Sequence, residues 1–172
     1  MKINLFSGRH VLESWVNVDV APSPKASRAP DILADALSVP LPDGCADEIM
    51  AIHGFEHLYL WQTGPALAEW HRLLKPGGLL VLEMPDIVKC AKNLIKLIDR
   101  GDAKALNSLA MFGLYGDPGT QDPFMGHRYG WTPKTLIPVL QAAGFTKIRE
   151  APTQWHPIGK AHRDFRIEAR KG

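Results

Sequence analysis

Acids and histidines that close short apolar runs are the residues of this chain best suited to chemistry. An apolar run and a small-residue turn, Lys2-Ile3-Asn4-Leu5-Phe6-Ser7-Gly8, precede a second apolar run that closes on an acid, Trp15-Val16-Asn17-Val18-Asp19. In open α/β sheets a ligand lies across the carboxyl ends of the strands, its acyl or phosphate part near the first turn and its ribose near such an acid. Asp19 is therefore a candidate ribose ligand of a nucleoside cofactor. Further on, His53-Gly54-Phe55-Glu56-His57 spells H-x-x-E-H, a pattern in which two histidines on one helical face hold zinc and the Glu activates water. That chemistry needs a helix, yet a strand-like run leads directly into His53 and Gly54 breaks the turn. A zinc hydrolase using His53, Glu56 and His57 is thus a lesser reading, and no metal site is expected.

Positioning these residues requires a series of short strands. Glu48-Ile49-Met50-Ala51-Ile52 is the near-continuous apolar run of a central parallel strand covered on both faces, and it delivers His53. Ile32 to Ala34 is a third short stretch that runs into Asp35-Ala36-Leu37, while the prolines at 22, 24 and 30 deny backbone donors and predict a loop before it. Leu67, Trp70, Leu73 and Leu74 recur at helical spacing, with Pro65 suited to a first-turn position and Pro76-Gly77-Gly78 ending the run. Residues 78–84 read as another buried strand, stopped by Pro85. Asp86 is a plausible N-cap for a second helix that carries Ile87, Ala91, Leu94, Ile95 and Ile98 on one face.

The stretch from Gly101 to Gly130 is rich in Gly, Asp and Pro, and its length suits a lid or substrate loop. Thr132 then reads as an N-cap with Pro133 at the first helical position, Leu136, Leu140 and Ala143 form a stripe, and Gly144-Phe145 closes the helix. Pro138 should kink it. Residues 146–150 and 165–169 alternate weakly and suit a terminal antiparallel pair. Strands alternating with helices predict an α/β fold, a Rossmann-like, mostly parallel sheet with helices on both faces. Between Leu5 and Trp15 there is too little chain for a full crossover helix, so the first one is short or absent and that face of the sheet is thinly covered.

The chain has 172 residues, 45% of them apolar, enough for one sizeable core and short for two domains. One domain, 1–172, is expected, with 100–131 as the lid. A net charge of +2 and a pI of about 8.6 lack the concentrated basic stripe of a phosphate-backbone binder, although residues 160–171 are mildly basic. Nucleic acid is not indicated as a partner. The two cysteines, Cys45 and Cys90, have no CxxC spacing and imply neither a disulfide scaffold nor a cysteine zinc site. No apolar run is long enough to cross a bilayer, the first strand leaves no room for a signal peptide, and a cytoplasmic setting fits these features. No oligomeric state follows from them.

The order of these signals resembles the class I S-adenosylmethionine-dependent methyltransferases, especially small members whose first motif is followed at once by a Trp-(Val/Ile)-Asn-Val-Asp strand. The resemblance runs from Lys2 through Phe145. It rests on residues 15–19, Asp35-Ala36-Leu37 with Leu41-Pro42-Asp43, Phe55-Glu56-His57, Arg72-Leu73-Leu74-Lys75-Pro76-Gly77-Gly78, and Gly126-His127-Arg128-Tyr129-Gly130-Trp131. It implies S-adenosyl-L-methionine as cofactor, with Asp19 and the following Val20 at the ribose, Asp35 at the adenine amino group and Ala36 at the adenine edge. Gly8 would form the turn beneath the methionine part, with His53 nearby. A carboxylate accepts well from ribose hydroxyls and from an amino group. The family's Gly-x-Gly is replaced by Phe6-Ser7-Gly8, so Phe6 either turns its ring into the core or lies against the sulfonium. His57 and His127 are candidate general bases, or pack with a ring nitrogen on a backbone group. The implied acceptor is a small molecule or a sugar, and the alternative is a binding or scaffold protein that keeps the fold without the reaction.

Overall fold

The computed structural model describes residues 1–117, 119, 123–155 and 163–172; Pro118, residues 120–122 of the expected lid and Lys160 of the basic tail lie outside them. Among the described residues seven strands form one sheet: β1 (Lys2–Leu5), β2 (Val16–Asp19), β3 (Ile32–Leu33), β4 (Ala46–Ile52), β5 (Leu74–Pro85), β6 (Phe145–Ala151) and β7 (Asp164–Lys171). Their order is β3-β2-β1-β4-β5-β7-β6. Strands β1 to β5 pair in parallel, and β7 runs antiparallel to both β5 and β6. The expected terminal antiparallel pair is therefore present, and the chain reverses strand order beside β1, where α/β sheets open a ligand crevice.

Register divides the side chains between two faces. Ile3 and Leu5 pair with Val16 and Val18 on one side and with Ile49 and Ala51 on the other, and Leu80 and Leu82 continue the row through β4. These residues join Ala66, Leu67, Trp70 and Leu73 of α1 (Leu60–Leu73) and Leu136 and Leu140 of α4 (Pro133–Ala142) in the main core. On the other face, Met50, Ile52 and Val81 meet Leu12, Trp15 and Trp155. Cover over these strands is thus helical on one side and made of loop aromatics on the other, as the short first connection requires.

A polar network holds that first connection in place of a helix. Asn17 is fully buried; its amide donates to the carbonyls of Leu12 and Trp15 and to Asp31, and its oxygen accepts from Leu12 N–H at 2.8 Å and from Asn4 at 3.0 Å. The side chain therefore satisfies loop groups that a crossover helix would have bonded internally.

Three local readings differ from the sequence pattern. Helix α1 begins a turn and a half early because Gln62 Oε1 accepts from Tyr59 N–H and Gln62 N–H donates to the Tyr59 carbonyl, which leaves Pro65 inside the helix and not at its start. Strand β5 starts at Leu74, directly after α1, since Leu74 already pairs with Ala46 of β4. Asp86 caps α2 (Ile87–Asp99) by accepting from Val88 and Lys89 N–H as expected, but Cys90 is its buried residue, and Ile87, Ile95 and Ile98 are exposed. Helix α2 packs against α3 (Leu109–Tyr115), where Gly113 lets Cys90 approach; a Cβ there would overlap the sulfur. The three isoleucines of its apolar stripe therefore face outward, while Ala91 and Leu94 are half-buried.

Trp70 is buried among Phe6 and Phe55 and donates from its indole nitrogen to the Ala36 carbonyl at 2.9 Å. Trp70→Ala is expected to cost about 3–5 kcal/mol in urea unfolding, whereas Trp61→Ala, at a site 72% exposed, stays within about 0.5 kcal/mol. Burial also pushes the Cys90 thiol up to about 12, so native alkylation at pH 8 is expected to label Cys45 and spare Cys90 until the chain unfolds.

Candidate functional site

The site forms where β1, β2, β3 and β4 end. Asp19 closes β2 and accepts from two backbone amides: Gly8 N–H reaches Oδ2 and Val20 N–H reaches Oδ1, each at 2.7 Å. Gly8 takes φ 48°, and Ser7 N–H donates to Val18 carbonyl, so the β1 turn is fastened to the end of β2. Each carboxylate oxygen retains a lone pair for a further donor. Ala34 N–H donates to the Asp19 carbonyl at 2.9 Å, which brings Asp35 off the neighbouring strand end one residue later. Asp35 is exposed and accepts from Leu37 N–H at 2.9 Å; Ala36 is buried with its carbonyl held by Trp70.

Phe6 occupies the position of the absent glycine and takes a glycine-like φ of 53°. Its ring packs on the main core, edge-on to Trp70 at 6.2 Å, and so close to Gly54 that a Cβ on Gly54 would overlap it. Of the two placements open for this ring, the core side is the one adopted. The left-handed backbone costs a non-glycine residue roughly 1–2 kcal/mol. His53, at the end of β4, shares that conformation at φ 49°.

His53 joins two buried acids. Its Nδ1 lies 3.2 Å from Glu56 Oε1 and its Nε2 3.3 Å from Asp164 Oδ2, and Arg163 donates to both oxygens of Asp164. Burial alone would lower the His53 pKa, but the hydrogen bonds and charges of Asp164 and Glu56 overcome it and raise the pKa to about 9. Burial would raise the Glu56 pKa, yet the His53 bond and the surrounding imidazoles hold it at about 2. His53 is therefore an imidazolium between carboxylates at neutral pH.

This arrangement disposes of the H-x-x-E-H reading. Residues Phe55–His57 form a single 3-10 turn, so His53 and His57 share no helical face, and they turn to different partners. His57 Nδ1 meets the carbonyl of Gly126 at 3.2 Å, and His127 Nδ1 that of Gly113 at 3.0 Å. The two rings stand edge to face, 4.9 Å apart. Burial lowers the His127 pKa, which keeps that ring neutral. The chain after the 3-10 turn Pro123–Met125 is tied over this spot, since Arg128 and Tyr129 N–H both donate to the Glu56 carbonyl and Ile87 N–H donates to that of Trp131.

Asp164, Arg163 and the Asn17 network escaped sequence reading. For Asp164 the signal was its alternation, with Arg166, against Phe165 and Ile167, which marks charged residues on one face of a strand buried in the sheet. Of the expected site residues, Phe6, Gly8, Asp19, Val20, Asp35 and Ala36 gather around the ends of β1, β2 and β3, while His53, His57 and His127 gather beside Glu56.

Residues 7–82 match the family model of the methyltransferase domain. A demethylmenaquinone methyltransferase of Thermus thermophilus is 43% identical over 63 residues, which span 36% of this chain and 28% of that protein. Among solved structures, a SAM-dependent methyltransferase from Archaeoglobus fulgidus superposes with TM-score 0.64 at 17% identity, over 99% of this chain and 85% of the other. The 1,6-didemethyltoxoflavin-N1-methyltransferase of Burkholderia thailandensis, solved with 1,6-didemethyltoxoflavin and S-adenosylhomocysteine, gives TM-score 0.59 at 17% identity, over 99% and 70%. At such identities the solved structures speak to fold, which here runs the whole length of the sheet. Among the described residues no helix is long and apolar enough to cross a membrane. The matched segment resembles a methyltransferase domain, and the sheet as a whole shares the fold of solved S-adenosylmethionine-dependent methyltransferases.

Proposed function

We propose that the protein transfers a methyl group from S-adenosylmethionine to a small-molecule acceptor, within a single domain whose 100–131 segment borders the acceptor side. The observation that carries this reading is Asp19, an acid at the end of β2 whose Oδ2 orders the Gly8 turn and whose Oδ1 accepts from Val20 N–H, both oxygens retaining lone pairs for ribose hydroxyls. The available residues fit the cofactor. Asp19 and Val20 would take the ribose, Asp35 and Ala36 the adenine, and the Phe6 to Gly8 turn and His53 the methionine part. When bound, the cofactor supplies a methyl on a sulfonium that is already a good leaving group.

What remains for the chain is to place the acceptor in line with that methyl and to exclude water, so positioning carries most of the acceleration. His57 and His127 border the acceptor side with Nδ1 spent on backbone carbonyls; Nε2 of His127 faces Glu56 Oε1 at 3.8 Å, and Nε2 of His57 is left as the candidate base. His53 cannot serve as a base near neutral pH, because Glu56 and Asp164 keep it protonated.

Calorimetric titration with S-adenosylmethionine and S-adenosylhomocysteine tests the reading, and absence of binding by either at millimolar concentration would remove it. Asp19→Asn, which keeps one acceptor oxygen but loses the charge, is expected to weaken binding about 10- to 100-fold, the worth of a charge-assisted hydrogen bond. Phe6→Gly relieves the left-handed backbone of the first turn and is expected to tighten binding in the same titration.

A further inference from the structure

Among the described residues, the donor atoms of Glu56, His57 and His127 lie within 4.8 Å of one another. The three come from two places in the chain, the 3-10 turn after β4 and the irregular return from Gly126 to Tyr129. Both imidazoles are held by the ring nitrogen they do not need for ligation. A carbonyl can only accept, so the contacts of His57 Nδ1 with Gly126 and of His127 Nδ1 with Gly113 put the proton on Nδ1 and the lone pair on Nε2. A backbone carbonyl that accepts from the other ring nitrogen, fixing tautomer and ring direction, is what metal-bound histidines ordinarily have.

The carboxylate supplies a separate observation. Glu56 is 2% exposed, its Oε1 faces His53 at 3.2 Å and His127 Nε2 at 3.8 Å, and its buried Oε2 has no hydrogen-bond partner among the described residues. A buried carboxylate oxygen left unsatisfied is costly unless something positive occupies its lone pairs. His53 cannot do so, being already committed to Oε1 and Asp164.

We infer that Glu56, His57 and His127 form a binding site for one divalent first-row transition-metal ion, held by the carboxylate and the two Nε2 atoms. Two imidazoles and one carboxylate suit zinc, iron, cobalt or manganese better than magnesium or calcium, which prefer all-oxygen shells. Three protein ligands leave at least one position open, and an ion there takes an oxygen ligand and lowers the pKa of a hydroxyl bound to it. This departs from the expectation of no metal, and it uses a ligand set different from the H-x-x-E-H triplet, with His127 replacing His53. The inference stands on geometry and does not require methyl transfer, so failure of the cofactor titration would leave it intact.

The test uses the untagged full-length chain, stripped with chelator and titrated with zinc chloride by calorimetry, and with cobalt chloride by absorption. One ion per chain is expected, with visible cobalt bands of a low-coordinate site. His57→Ala and His127→Ala are each expected to weaken zinc binding at least 10-fold, and Glu56→Gln to do the same with the side chain's shape preserved. No stoichiometric binding by the wild-type chain, or binding unchanged in both histidine variants, overturns the inference. Should the variants fail to fold, imidazole nitrogen spectra of the wild-type protein decide: zinc must shift the Nε2 resonances of His57 and His127. Shifts confined to other histidines overturn it.

Discussion

The site is organised by a buried carboxylate that has to be neutralised where it stands. Glu56 sits one turn past β4, screened from solvent, and a charge so placed is tolerated only when paired and hydrogen-bonded. His53 supplies the pairing on one side and is in turn gripped by Asp164 at the start of β7, which Arg163 balances. This chain of alternating charges binds the exit of β4 to the start of β7. Removing one member of such a buried set typically costs about 3–5 kcal/mol because its partner is stranded. The backbone carbonyl of the same residue holds Arg128 and Tyr129, so the return of the 100–131 segment is anchored to the same point.

Helices cover the sheet unevenly, and that explains the polar side chains buried in it. Where a crossover helix would normally follow β1, ten residues of loop must satisfy their own amides, and Asn17 meets that demand from within β2 together with Asn4 and Asp31. The loop then contributes Leu12 and Trp15 as cover for Met50, Ile52 and Val81. Glu83, fully buried in β5, receives Gln154 and Trp155 N–H and Arg166, which fixes Trp155 over the same patch. Hydrogen bonds between strand side chains and loop backbone thus replace the internal bonding of a helix.

Strained backbone accompanies the site at both strand ends that face the crevice. Phe6 and His53 adopt left-handed φ values, and neither is relieved by being glycine. The core holds Phe6 through Trp70 and Gly54, and the two acids hold His53. Gly54 is small because the Phe6 ring lies on it, which makes the lost glycine of the first turn and the retained glycine after β4 a matched pair.

By itself, the sequence determined the alternation of strands and helices, the acid at the end of β2, the caps Asp86 and Thr132, and the shortness of the first connection. These features are encoded in residues close together along the chain, in apolar runs, capping side chains and punctuating Gly and Pro. Tertiary structure alone decided where Phe6 turned, why the isoleucines of α2 face outward, and that His53 and His57 part company. It alone brought His127 to Glu56 from seventy residues away and set Asp164 beside His53. Such meetings depend on strand order and on the path of loops over the sheet, and no local pattern in the chain records which distant residue will arrive.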